Sequence, residues 1–236
     1  MEKQQQLYEG KAKRIYQTSE PGVLWVTYKD DATAFNGEKK DTLEGKARLN
    51  NEISTLIFTH LNEKGLQSHF IRRLSDTEQL VRQVEIVPLE VVVRNVVAGS
   101  MAKRLGIEEG TPLVEPIVEF YYKDDALGDP LITEDHVYLL EAATAEEVES
   151  LKIQAKKVNE LLVELFAGIG VRLVDFKLEF GRTNEGKLLL ADEISPDTCR
   201  LWDIKTNQKL DKDLFRRNLG NLQDGYQEIL TRLGGQ

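Results

Sequence analysis

The chain has 236 residues, with 40 acidic against 31 basic side chains, a net charge of −9 and a pI near 5.1. That balance argues against nucleic acid as a main partner, because duplex binding needs a basic face. The length allows a sizeable core without disulfides or structural metals, and the lone cysteine, Cys199, cannot form an internal disulfide, which fits a reducing compartment. The N-terminal MEKQQQLYEG lacks the apolar segment of a signal peptide, and no apolar run approaches the length of a membrane span. A cytoplasmic chain with no membrane partner is the expectation.

Residues 7–29 read as short strands broken by a Pro21-Gly22 turn. Residues 45–64 carry Leu49, Ile53, Leu56, Ile57 and Leu61 at helical spacing, with Gly65 as the stop. Apolar runs follow near 68–74 and 79–84, then a buried strand in IVPLEVVVRNVV, with Pro88 near its start. A short helix is predicted at 101–105, ended by Gly106. Residues 107–143 read as irregular apart from a strand in FYYK at 120–123. Thr144 and Glu147 form a capping-box pattern that opens a helix to about 167. Val148, Leu151, Ala155, Val158, Leu162 and Leu165 make its apolar stripe. A single C-terminal helix is expected over 211–233. Strands first, then mixed strands and helices, predict an α+β chain with a boundary near 75–85.

LVDFKLEFG at 173–181 is the most informative segment. Val174, Phe176, Leu178 and Phe180 alternate with Asp175, Lys177 and Glu179, so a strand here puts three charges on one face. Asn184-Glu185-Gly186 reads as a hairpin turn leading to LLLADE, which ends in Asp192 and Glu193. Period-two spacing lets only one of those two acids share the face of Glu179, and spacing does not say which. Carboxylates with a lysine among them suit a metal-nucleotide site. A solvated sheet face fits the same pattern.

No Walker P-loop is present, and Gly168-Ile169-Gly170 follows a helix rather than a strand, so it is not a dinucleotide fingerprint. EGKAKR at 9–14 is the candidate phosphate loop. Gly10 admits close backbone approach, Lys11 and Lys13 supply charge, and Ala12 stays small between them. A hairpin turn with surface lysines is the alternative. Arg94 ends an apolar strand and needs an anion, either a ligand near the small turn at Gly99-Ser100 or Glu90. Arg200 follows the acidic pair in SPDTCRLWD and can clamp an anion or pair with Asp203. His60, His69 and His136 have no zinc-ligand spacing, and Cys199 reads as a small residue beside the site rather than a nucleophile.

Taken together, LYEGKAKRIY, LSDTE at 74–78, LEVVVRNVVAGS at 89–100, KRLGIEEG at 103–110, LVDFKLEFG and DEISPDTCRLWD at 192–203 resemble the SAICAR synthetase family, from about Leu7 to Gly234. The resemblance implies a SAICAR synthase-like α+β fold. A smaller, mostly antiparallel β domain (1–80) would cover the nucleotide, and a larger α+β domain (81–236) would bind substrate and metal, with ATP in the cleft between them. It implies ATP-dependent joining of the carboxylate of carboxyaminoimidazole ribotide (CAIR) to the amine of L-aspartate in purine biosynthesis. Gly10, Lys11, Ala12, Lys13 and Lys123 would contact ATP, with Lys13 as the main phosphate lysine. Glu179 and Asp192 would hold Mg²⁺. Arg94, Ser100 and Arg200 would bind the ribotide, and Asp175 and Lys177 would lie at the reacting end. A homodimer is implied as well. The aspartate pocket is not placed. Asn36-Gly37 stands where some members carry Asp-Gly, so any contact made by that Asp must differ here. A small-molecule kinase and a non-catalytic Mg-ATP regulator are the competing readings.

Overall fold

The computed structural model describes residues 1–34 and 39–235; the Asn36-Gly37 position lies outside them. In chain order the elements are β1 (Lys3–Glu9), β2 (Lys13–Thr18), β3 (Val23–Tyr28), β4 (Asp31–Ala34), β5 (Lys39–Thr42), α1 (Lys46–Glu63), β6 (Phe70–Arg73) and β7 (Glu78–Arg82). Then come β8 (Glu85–Ile86), β9 (Leu89–Val96), α2 (Gly99–Leu105), β10 (Pro112–Tyr122), β11 (Leu131–Ile132) and α3 (Glu134–Leu139). The last are α4 (Ala145–Gly168), β12 (Val171–Arg182), β13 (Leu188–Ala191), β14 (Cys199–Asp203), α5 (Asp213–Arg216) and α6 (Leu222–Arg232).

Two antiparallel sheets organise the molecule. The first runs β1-β2-β3-β7-β6; the second runs β11-β10-β9-β12-β13, with β14 and β8 also paired to β12. β12 is the axis of the second sheet, and its register puts Asp175 opposite Arg94 of β9 and opposite Arg200 of β14. Phe176, Leu178 and Phe180 point into a core shared with Val91 and Val93 of β9, Ile53, Ile57 and Leu61 of α1, and Tyr226 and Ile229 of α6. The alternation read from the sequence holds from Asp175 onward but fails at Val174. A bulge between Leu173 and Asp175 interrupts the pairing with β14, and Val174 packs instead with Val96, Ala98 and Trp202.

α4 starts at the expected box: Thr144 Oγ1 accepts from Glu147 N at 3.2 Å, and Glu147 Oε2 accepts from Thr144 N at 2.9 Å. Its inward stripe is the expected one, except that Phe166 is fully buried and Leu165 only partly. Arg182 at the end of β12 pairs with Glu147 at 2.6 Å, which ties the helix start to the central strand.

Two expectations are corrected. Residues 107–143 are largely ordered into β10, β11 and α3. The strand expected at 120–123 is the end of β10; its earlier part escaped the sequence reading because the pairing with β9 is broken by an irregularity between Pro112 and Ile117, so no clean alternation appears. The C-terminal helix is two helices. Asn218 and Gly220 adopt positive φ of 52° and 157°, and the Asn221 side chain caps α6 by accepting from Gln223 N at 2.9 Å.

Asp211 is wholly buried between β14 and α5, where its oxygens accept from Leu201 N and Asp213 N, each at 2.8 Å. Burial, then the neighbouring Asp213 charge, raises its pKa to about 7. The folded state therefore holds a proton that the unfolded chain has released above its ordinary value of 3.8. Stability from this group is full below that value and falls as pH rises to about 7, by up to ~1.4 kcal/mol per pH unit. Urea denaturation of wild type and Asp211→Asn at pH 5 and pH 8 should show the difference moving in the variant's favour at pH 8.

Candidate active site

The two sheets enclose a cavity of about 1610 Å³. That exceeds the usual ~300–1,000 Å³ of a single-ligand pocket, so several reactants can sit together. One wall is the charged face of β12. Asp175 and Glu179 are only 3% and 5% exposed and Lys177 is partly buried, so this face meets an enclosed cleft and not bulk solvent. The two-residue step of a strand spaces the three side chains by about 6.6 Å.

At the Asp175 end the carboxylate is gripped from both neighbouring strands. Arg94 Nη1 donates to Asp175 Oδ2 at 2.7 Å, and Arg200 Nη1 donates to the same oxygen at 2.9 Å. Arg94 also donates to Glu119 at 2.6 Å, to the Tyr121 hydroxyl at 2.9 Å and to Ser100 Oγ at 3.2 Å. Arg200 Nε donates to Asp213 at 3.0 Å. Burial disfavours both guanidinium charges, yet Asp175 and the second acid beside each hold their pKa values above the ordinary one. Glu90, offered as a partner for Arg94, pairs with Lys177 instead, and Asp203, offered for Arg200, pairs with Arg232. Arg94, Ser100 and Arg200 thus share one corner of the cleft.

Gly99 shapes that corner. Its φ is +55°, and an added Cβ would stand 2.5 Å from Arg200 Nη2. The guanidinium packs where any other residue's side chain would begin.

At the Glu179 end three lysines meet four carboxylates. Lys177 donates to Glu179 at 2.7 Å and to Glu90 at 3.1 Å, and Lys123 donates to Glu179 at 3.1 Å. Lys13 pairs with Asp192 and, at 3.0 Å, with Glu193. Desolvation opposes the charge on Lys13 and Lys177, but the surrounding acids hold both pKa values well above normal. Burial alone would raise the Asp192 pKa, but Lys13 and Lys177 drive it well below the usual range.

The one-acid-per-face expectation for Asp192 and Glu193 is overturned. β13 ends at Ala191, and Asp192 has a left-handed φ of 59°, so strand periodicity no longer applies and both carboxylates reach Lys13. His69 Nε2 lies 3.1 Å from the Asp192 carbonyl; burial lowers its pKa to about 4, so the ring is neutral near pH 7.

Gly10, Lys11 and Ala12 form the turn between β1 and β2 at the cleft mouth. Lys11 is half-exposed and paired with Asp125 at 2.8 Å, whereas Lys13 is the deeply placed lysine. Cys199 is buried, and its thiol pKa is pushed up by that burial, which leaves it un-ionised. Sequence reasoning missed an apolar wall of Ile15, Leu24, Val26 and Val81 in the same cavity. Valines and leucines in strands look the same whether they face a core or a ligand. It also missed Glu119, Tyr121 and Asp213 and matched Glu90 to the wrong cation, because the roles of these polar residues depend on tertiary register.

A cleft with one greasy wall, a lysine-carboxylate cluster and a separate arginine corner defines an enzyme that handles phosphorylated reactants. The SAICAR synthetase family model matches residues 6–233. A phosphoribosylaminoimidazole-succinocarboxamide synthase from Shouchella clausii is 75% identical over 235 residues, which are 100% of this chain and 98% of that protein. The crystal structure of the enzyme of the same name from Ehrlichia chaffeensis superposes with a TM-score of 0.96 at 48% identity, covering 98% of this chain and 99% of that one. A SAICAR synthetase solved in complex with ADP gives 0.94 at 48% identity, covering 97% of each chain. The chain belongs to the SAICAR synthetase family, and it is an ATP-dependent ligase of purine biosynthesis with the α+β fold of that family.

Gly99→Ala should force Arg200 away from Asp175 and lower stability by about 1–3 kcal/mol, read by denaturant unfolding. Unchanged stability would mean that the arginine corner adapts freely.

Proposed function

We propose that this enzyme joins the carboxylate of CAIR to the amine of L-aspartate through an acyl phosphate, with ATP cleaved to ADP and phosphate. The observation that carries the reading is the row Asp175–Lys177–Glu179, which faces the cleft between an arginine corner and a lysine-carboxylate cluster. A carboxylate is a poor acyl donor, because its charge repels nucleophiles and its oxygen leaves badly. Phosphorylating it first bonds that oxygen to the γ-phosphorus as ADP leaves, and the amine then attacks the carbonyl carbon and expels the oxygen as phosphate. Phosphoryl transfer depends mainly on positioning and charge stabilisation, so no protein nucleophile is needed. The neutral, buried Cys199 is consistent with that.

In this reading, residues 1–80 cover the nucleotide and residues 81–236 bind substrate and metal. The turn at Gly10, Lys11 and Ala12 lies over the ATP phosphates, Lys13 and Lys123 offset their charge, and the apolar wall receives the base. Arg94, Ser100 and Arg200 take the ribotide phosphate. Lys177 stands between the two anions, where it lowers the repulsion between the CAIR carboxylate and the γ-phosphate. Asp175 fixes the two arginines.

Glu179 and Asp192 suit Mg²⁺. They are hard oxygen donors in a cluster where carboxylates outnumber lysines. Among the described residues no three acids, histidines or cysteines group closely enough to cage an ion alone. An ion that completes its shell with phosphate oxygens and water fits that arrangement. When bound, Mg²⁺ supplies further charge neutralisation on the triphosphate. No helix among the described residues is long and apolar enough to cross a membrane. A cytoplasmic homodimer is part of the proposal, checked by sedimentation.

ADP release should require ATP, CAIR and aspartate together; release without aspartate would indicate a kinase. Lys177→Ala should lower kcat by about 10²–10³-fold in enzyme that is still folded at the assay temperature, and near-normal turnover would reject its role. Arg94→Ala leaves Glu119 and Asp175 buried without one of their cations, so it should lose about 3–5 kcal/mol of stability. Ser100→Ala is therefore the cleaner probe: it should raise the KM for CAIR several-fold and leave that for ATP alone.

A further inference from the structure

Two consecutive acids, Asp192 and Glu193, meet Lys13. In a continuing strand their side chains would point to opposite faces. Both reach the lysine because Asp192 is left-handed, a conformation sparsely populated by residues that carry a Cβ, so contacts around it must hold it. The hold comes from His69. Its Nε2 lies 3.1 Å from the Asp192 carbonyl oxygen. A carbonyl only accepts, so Nε2 carries the proton and donates. Among the described residues no other hydrogen bond reaches that oxygen. The peptide group that carries it joins Asp192 to Glu193, so one bond fixes the plane from which both acidic side chains depart.

His69 is itself firmly placed. Its backbone N donates to Leu190 O at 2.8 Å, and its carbonyl accepts from Arg82 N at 2.7 Å. Its ring centroid lies 5.6 Å from that of Phe58, which is wholly buried. The residue is buried at the cleft wall. The two acids differ in what they have left. Glu193 gives one oxygen to Lys13 at 3.0 Å and the other to the Ser195 hydroxyl at 2.9 Å. Asp192 gives Oδ1 to Lys13, and among the described residues its Oδ2 accepts no hydrogen bond. That oxygen is open to a cation, and where it points depends on the peptide that His69 holds.

We propose that His69 is a positioning residue of the metal-nucleotide site: its hydrogen bond to the Asp192 carbonyl aims Asp192 at Mg²⁺ and Glu193 at Lys13. This rests on the reading above that Glu179 and Asp192 hold the metal. His69 acts through the 192–193 peptide and not on a reactant. A partner behind a metal ligand fixes that ligand's direction, and its loss weakens metal binding by about 10–100-fold. The same bond keeps Lys13 between two carboxylates, so the phosphate lysine and the metal ligand are set by one donor.

The test is calorimetric titration of ADP into the full-length protein, once in excess Mg²⁺ and once in EDTA. The ratio of the two Kd values reports what the metal adds. His69→Phe keeps an aromatic ring against Phe58 and removes the donor. It should cut the wild-type ratio about tenfold, or to one where the wild-type ratio is smaller, and leave the Kd in EDTA within threefold of wild type. His69→Gln, whose amide nitrogen reaches about as far as Nε2, should restore the ratio; His69→Asn, one carbon shorter, should not. An unchanged ratio in folded His69→Phe overturns the proposal. An equal loss in Mg²⁺ and in EDTA also overturns it, since that marks damage to the nucleotide pocket as a whole. Should His69→Phe fail to fold, the Gln and Asn variants decide by the same ratio, and equal values in the two reject the role. Wild-type ADP binding that ignores Mg²⁺ would sink the metal reading itself; a Mg²⁺-dependent wild type with unaltered variants sinks only this assignment.

Discussion

A carboxylate can be buried only when cations or hydrogen-bond donors replace the water it loses, and this requirement organises the molecule. β12 carries two nearly inaccessible acids, Asp175 and Glu179, on the face opposite its aromatic core residues. Asp175 is tolerated because β9 and β14 each bring an arginine to it in register. Glu179 is tolerated because Lys177 on its own strand and Lys123 just beyond β10 converge on one of its oxygens. The central strand thus sets which residues must stand on its neighbours.

The same demand spreads outward as a chain of alternating charge. Glu119, Arg94, Asp175, Arg200, Asp213 and Arg216 are linked in sequence by ion pairs. Such a chain resists rearrangement, because moving one member leaves its neighbours uncompensated in a low-dielectric setting. It pre-positions the groups that meet phosphorylated reactants, so little reorganisation is required when charge shifts during reaction. Gly99 serves the same end by removing the one atom that would collide with Arg200.

Much of this was legible in the chain. The Asp175-Lys177-Glu179 alternation announced a charged strand face, the Thr144/Glu147 box announced α4, and the ordered set of motifs announced the family. Other features were not legible, for identifiable reasons. The first part of β10, before the strand read at 120–123, was hidden because its irregular pairing erases periodicity. The break between α5 and α6 was hidden because Leu214 and Leu222 are both buried and keep an apolar pattern running across Asn218 and Gly220. Glu193 was set apart from Asp192 by strand logic that ceases to hold at Ala191, before either acid is reached.

Local order in the sequence determined which segments are strands or helices, which strand face is ionic, and which residue types stand ready for anion and cation chemistry. Those properties follow from side-chain period and capping, which act over a few residues. Tertiary structure alone decided that the ionic face looks into a cleft, that Arg94 and Arg200 share Asp175, and that Glu90 meets Lys177 and not Arg94. Those outcomes depend on register between strands far apart in the chain and on how the two sheets face each other, and pairwise distances of that kind have no signature in local composition.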